Sequence, residues 1–173
     1  PVMAEAGRVT IAEFYHKKGF AFAQVSLDTE KLSTGNVVYT IDEGPKVKIA
    51  AVRFSGNKAI KTDALKKVLK TKKTEWGFLS SYYTEEKVSK DVTKLQNIYY
   101  NKGFLDVNIT AGREFTEEKS KVRITFAINE GHAYTVKEIA ITGNEHFDAE
   151  RLRSELKLKQ GQIYNKRKAG SDV

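Results

Sequence analysis

Few residues in this sequence have the type and spacing to do chemistry, and those that do point away from catalysis. The three histidines, His16, His132 and His146, form no H-E-x-x-H, and no two of them stand three or four residues apart. No pair can therefore present two metal ligands on one helix face. His16 falls on the polar side of a helical stretch and the other two fall in loops, where a solvated imidazole is the ordinary outcome. There is no cysteine, which removes disulfides and thiolate metal sites. No G-x-S-x-G and no glycine-rich phosphate loop occurs. The acidic pairs Asp42/Glu43 and Glu85/Glu86 are adjacent in sequence, and such neighbours do not face each other across a cleft. The chain reads as a non-enzyme that uses no metal and no cofactor.

The densest chemical cluster is basic: Lys61, Lys66, Lys67, Lys70, Lys72 and Lys73. The net charge of +8 is spread unevenly. Residues 1–44 carry four Lys and Arg against six Asp and Glu, residues 45–130 eighteen against ten, and residues 131–173 eight against six. An anionic partner would therefore meet the middle segment. Nucleic acid is one such partner, and a KH module would share the element order derived below. That module needs a G-x-x-G loop between its helices so that the backbone can approach phosphates. Here the loop is KKTEWGFLSSYY with Gly77 alone, and its later counterpart KQGQIYN has Gly161 alone. The motif fails in both, which leaves a KH-like nucleic-acid-binding module as the less favoured alternative. The lysines read chiefly as a solvated face, favourably placed at a helix C-terminus. Their functional alternative is attraction to anionic lipid headgroups.

Apolar residues at 40% suffice for packed cores, and 30% charged residues suit a soluble surface. No apolar run approaches the roughly 20 residues needed to span a bilayer. The opening PVMAEAG lacks the pattern of a signal peptide, so any leader or anchor is expected outside this sequence. VKIAAVRF (47–54) is β-branched and bounded by Pro45 and Gly56, which predicts a strand. Lys61 to Lys70 places Leu65, Val68 and Leu69 on one face of a short helix. Thr84, followed by Glu85 and Glu86, predicts an N-cap. Val88, Val92, Leu95, Ile98 and Tyr99 form the stripe of a second helix, ended by Gly103. Leu105, Val107 and Ile109 alternate with polar residues, as do Val122, Ile124, Phe126 and Ile128 after a polar loop, giving two half-buried strands. Trp76 is expected to be a buried lid in the inter-helix loop.

This β-α-α-β-β unit is repeated. IDEGPKVKIAAVRFSGNKAIKTDALKKVL (41–69) aligns with INEGHAYTVKEIAITGNEHFDAERLRSEL (128–156) at an offset of 87, and FYHKKGFAFAQV (14–25) aligns with IYYNKGFLDVNI (98–109) at 84. The domains read as residues 1–44, the second helix and the second and third strands of one unit; 45–130, a complete unit; and 131–173, the first part of a further unit. The fold class is α+β, with three-stranded mixed sheets carrying two helices on one face. Connection rules put the third strand in the centre of each sheet and the second on an edge. The first strand changes phase, from Val47/Ile49 to Val52/Phe54 and again from Tyr134/Val136 to Ile139/Ile141. The earlier pairs are expected to pack at the junction with the preceding unit.

A unit of this order with Gly56-Asn57 after its first strand, Tyr99 to Gly103-Phe104 before its second and Glu130-Gly131 after its third resembles the POTRA domain. The motifs recur as Gly143-Asn144, Tyr15 to Gly19-Phe20, and Glu43-Gly44. The tandem arrangement is similar to that of the BamA family of outer-membrane protein assembly factors. The resemblance implies a periplasmic scaffold, tethered to the outer membrane of a Gram-negative bacterium, that engages unfolded outer-membrane proteins or accessory assembly proteins by adding a strand to an exposed edge. It leaves open a related secretion or translocation transporter. An unpaired edge offers rows of N–H and C=O groups, and Phe104, Leu105, Asp106, Val107, Asn108, Ile109 and Thr110 are expected to form it, with Phe20 to Ser26 as the earlier counterpart. The two partial units expose complementary apolar faces, so self-association by exchange between copies is a further expectation.

Overall fold

The computed structural model describes residues 2–73 and 82–172, so Trp76 lies outside the described residues. In chain order the elements are α1 (Val2–Lys17), β1 (Gln24–Leu27), α2 (Thr29–Ser33), β2 (Tyr39–Asp42), β3 (Lys48–Ser55), α3 (Thr62–Val68), α4 (Glu85–Tyr100), β4 (Asn108–Phe115), β5 (Lys121–Asn129), α5 (Ala149–Glu155) and α6 (Lys166–Ala169). The fold is α+β. Its central sheet has the order β3-β5-β4, so the third strand of the unit is central and the second is an edge.

The chain divides into two compact units. The first comprises Pro1–Arg53, Leu69–Asp91 and Ala111–Phe126. In it α1 precedes an antiparallel hairpin, β1 with β2, in the register Gln24↔Asp42 to Leu27↔Tyr39. The loop of that hairpin holds α2, whose N-cap Asp28 accepts from Lys31 N at 3.0 Å. Sequence alternation gave no sign of this helix. Thr84 caps α4 as expected, its Oγ1 accepting from Lys87 N at 3.2 Å. Asp91 is fully buried, and its carboxylate accepts from Lys70 N at 2.9 Å and Thr71 N at 2.6 Å. That bond fastens the segment after α3 to α4.

The second unit comprises Phe54–Val68, Val92–Thr110 and Ala127–Val173. Here the motif residues turn out to be structural. Gly56 has φ +80°, and a Cβ there would come within 2.0 Å of Ile128 O. Only glycine allows that approach. Asn57 Nδ2 donates to Ile60 O and Thr62 Oγ1, and Asn144 Nδ2 likewise donates to Phe147 O. Glu130 accepts from Tyr99 Oη at 2.9 Å and from Ala59 N at 2.8 Å. Asp172 repeats the role of Asp91, accepting from Lys157 N and Leu158 N, both at 2.8 Å. The first strand expected after Tyr134 is absent: residues 137–142 carry no strand assignment. A first strand needs a central strand as its partner, and among the described residues no strand follows β5 to serve as one.

Buried side chains on β4 and β5 (Ile109, Val122, Ile124, Phe126, Ile128) lie on one face of the sheet, and the helices add Leu65, Val88, Leu95 and Tyr99 to the core. Val47, Ile49 and Val136 are buried, whereas Tyr134, expected to be buried with Val136, is 44% exposed. Its ring stays at the surface because its hydroxyl donates to Asp106 Oδ2 at 2.6 Å.

Candidate strand-addition edge

The register of β4 on β5 decides which backbone groups face outward. Thr116 N donates to Lys121 O at 3.0 Å, Arg123 pairs with Glu114 at 2.8 Å, and a Cβ on Gly112 would lie 3.7 Å from Thr125 O. These three observations fix one antiparallel register, in which 108, 110, 112, 114 and 116 exchange hydrogen bonds with β5. The intervening residues Ile109, Ala111, Arg113 and Phe115 turn their N–H and C=O groups away from β5. β4 is an edge strand, so no described strand pairs with the outward N–H groups of Ala111, Arg113 and Phe115.

The expected edge, Phe104 to Thr110, therefore sits too early. Only Asn108, Ile109 and Thr110 belong to β4. Gly103, with φ +85°, starts a turn in which Phe104 N donates to Tyr99 O and Leu105 N to Gly103 O. Phe104 forms an antiparallel bridge with Ala133, Tyr134 N donates to Gly103 O at 2.9 Å, and Asp106 holds the Tyr134 hydroxyl. Leu105 is exposed and Val107 is buried. Asn108 also points its N–H at β5, so its backbone is not on the open side. The alternation of Phe104 to Val107 imitates a strand; the positive φ at Gly103 is the signal that breaks it. In the earlier hairpin β1 covers Gln24–Leu27 of the expected Phe20 to Ser26.

Arginines attend both hairpin edges. Arg113 Nη1 donates to Ala111 O, and Arg8 Nη1 donates to Val25 O at 3.3 Å. Each of those carbonyls faces outward from its strand, so each arginine partly blunts an edge. Arg113 is anchored by an ion pair with Glu85 and by a 3.3 Å bond to Tyr83 Oη. Burial opposes its charge, but the bonds to Tyr83 and Glu85 outweigh that and raise the guanidinium pKa. Burial first, then the hydrogen bond to Glu85, pushes the Tyr83 hydroxyl up to about 12. At the end of β4 the Phe115 ring meets Phe22 edge-on at 4.9 Å and Tyr83 at 5.5 Å. Beside them a cavity of about 180 Å³ is lined by His16, Ala21, Phe22, Tyr83, Thr84, Glu85 and Phe115. The opposite edge of the sheet is less open, since β3 begins with a bridge from Lys48 to Tyr82 and Tyr83 N donates to Val47 O.

Elsewhere, His16 bonds Ala23 O, and no cluster of metal-ligating residues is found among the described residues. No described helix is long and apolar enough to cross a membrane. Lys61, Lys66, Lys67, Lys70, Lys72 and Lys73 are all exposed, with Lys66 within 4.0 Å of Asp63.

Comparison with known proteins bears on this geometry. The sequence matches the family model POTRA, surface antigen variable number repeat, over residues 47–131 and 134–173. A Treponema pallidum (strain Nichols) protein provisionally named outer membrane protein assembly factor is 27% identical over 170 residues, covering 95% of this chain and 20% of that protein. Outer membrane protein assembly factor BamA of Buchnera aphidicola subsp. Acyrthosiphon pisum (strain APS) is 23% identical over 165 residues, covering 92% of this chain and 27% of that protein. The chain thus spans about a fifth to a quarter of the length of these relatives. Among solved structures, Haemophilus influenzae BamA POTRA3-5 superposes with a TM-score of 0.60 at 20% identity, covering 97% of this chain and 66% of that one. That likeness concerns the fold. With repeat, element order and family model in agreement over more than half of its length, the chain belongs to the POTRA family.

Proposed function

We propose that this chain is the periplasmic scaffold of an outer-membrane β-barrel assembly factor, and that it engages extended segments of unfolded outer-membrane proteins or of accessory proteins by strand addition along β4. In the full-length protein it is tethered to the outer membrane of a Gram-negative bacterium and performs no catalysis. The observation that carries the reading is the outward row of N–H groups at Ala111, Arg113 and Phe115. An added strand supplies the carbonyls these groups lack, while side chains on alternate positions give selectivity. Asp106 and Asn108 do not blunt this row, because the row lies beyond them.

The test is Ala111→Pro, which deletes an outward donor and spares the ladder to β5. Weaker binding of an extended outer-membrane-protein peptide, with unchanged circular dichroism and no gain in single-stranded RNA binding, is the expected result. Unchanged peptide affinity in a folded Ala111→Pro variant refutes the reading. Two subsidiary contacts belong to the same proposal. The exposed lysines from Lys61 to Lys73 meet anionic lipid headgroups, which flotation with phosphatidylglycerol vesicles tests. Exchange between copies joins the exposed Val37 and Ile41 to the half-buried Ile139, Ile141, Leu152 and Leu156, with Ala23 and Val25 of the first face already buried, and a strictly monomeric species across a light-scattering concentration series excludes it.

A further inference from the structure

We infer that the cavity at the end of β4 is a side-chain pocket that selects an aromatic residue, phenylalanine above others, in the strand added there. The inference rests on the strand-addition reading and names what the added strand must carry. Phe115 belongs to both features: its backbone N–H faces the open edge, and its ring forms one wall of the cavity. A strand added beside β4 would run about 4.8 Å away, with alternate side chains on the same face as Phe115. The residue opposite Phe115 is thereby delivered to the cavity mouth.

Size and chemistry then narrow the occupant. A cavity of about 180 Å³ is close to the roughly 150 Å³ at which an apolar cavity binds benzene. Its walls at Phe22, Tyr83 and Phe115 are aromatic, and the existing ring pairs are already edge-on. A further ring can join that arrangement. The polar groups at the rim ask for nothing. Glu85 is held by Arg113 and Tyr83, Thr84 Oγ1 by Lys87 N, and His16 by Ala23 O. An apolar ring thus enters without displacing any of these bonds.

The experiment measures binding of two fluorescein-labelled peptides by anisotropy. Both have the same alternating Thr/Val frame; one carries Phe at its centre and the other Ala. Each is titrated into the intact chain, into Ala21→Leu, which fills the cavity from a half-buried turn position, and into Ala111→Pro. The Phe peptide should bind the unaltered chain roughly ten- to a hundredfold more tightly, the worth of burying one large apolar side chain. In Ala21→Leu the two peptides should become nearly equal, and Ala111→Pro should weaken both. Equal binding of the two peptides to the unaltered chain overturns the pocket, and if Ala111→Pro still weakens both, strand addition survives. A Phe preference that persists in Ala21→Leu also overturns the pocket. Binding of neither peptide, or indifference to Ala111→Pro, overturns both readings.

Discussion

Replacing Glu130 with alanine should cost far more than its place at a strand end suggests. The carboxylate accepts from Tyr99 Oη at 2.9 Å and from Ala59 N at 2.8 Å. Tyr99 is completely buried, and burial, reinforced by the bond to Glu130, pushes its hydroxyl pKa well above the ordinary phenol value. After Glu130→Ala that hydroxyl has lost its partner, which costs about 1–3 kcal/mol. Ala59 lies on an exposed loop, where water replaces the lost acceptor at about 1 kcal/mol or less. The expected total is about 2–3 kcal/mol, or roughly 5–10 °C in Tm for a chain of this size. Tyr99→Phe removes the donor itself and should cost only about 1 kcal/mol. Because the double variant has no stranded hydroxyl, the cycle should show a coupling of about 1–2 kcal/mol. Urea unfolding of the four proteins, followed by circular dichroism, measures it. If the two costs add to within about 0.5 kcal/mol, the Tyr99–Glu130 bond is not what makes the acidic-glycine motif necessary. The related pair Tyr15–Glu43 has a similar 2.8 Å bond but stands in solvent, so Glu43→Ala should be nearly silent in the same assay.

Gly56→Ala should unfold the chain at a markedly lower temperature than Gly143→Ala, since a Cβ at Gly56 meets Ile128 O at 2.0 Å while one at Gly143 meets nothing within 4 Å. Both share the left-handed penalty of about 1–2 kcal/mol, so equal melting temperatures would rule out the close approach as the cause. Thr110→Pro removes a ladder donor to β5 and should lower Tm, whereas Ala111→Pro should barely change it; a reversed order in thermal melts would show the register to be wrong by one residue. The neutral Tyr83 phenol is favoured in the folded chain. The stability it contributes is complete below the ordinary value of 10.0 and is lost as pH rises towards about 12. Urea midpoints should fall over that window and fall less in Tyr83→Phe.

The motif residues were legible because each has a specific task in the backbone: a close approach at Gly56, a side-chain bond to a turn at Asn57, a part-buried bond between Tyr99 and Glu130. Gly56, Asn57, Tyr99 and Glu130 stand in the sequence at the offsets at which they work in the structure. Sheet order followed from connectivity alone, and alternation identified the buried face of β4 and β5. The open edge was misplaced because Phe104-Leu105-Asp106-Val107 alternates like a strand while serving as a turn. What decides it is contact with Ala133 and Tyr134, nearly thirty residues away, and no local pattern carries that. The arginine contacts to Ala111 O and Val25 O, and the cavity beside Phe115, were invisible for the same reason. The short α2 had only Asp28 to announce it, and the missing strand after Tyr134 shows that a strand pattern needs a partner strand as well as a suitable sequence.

The bond from Tyr134 N to Gly103 O has a counterpart from Val47 N to Gly19 O, also 2.9 Å. Each joins the glycine that follows a helix, α1 or α4, to a residue well down the chain, and both use main-chain atoms only. The side chains pressed against the two glycines differ: Tyr82 at Gly19, Ile163 at Gly103. A joint made of peptide groups keeps its form while the side chains around it drift, provided the glycine stays. At both places the fastening rests on a glycine and two peptide groups, whatever side chain lies beside them.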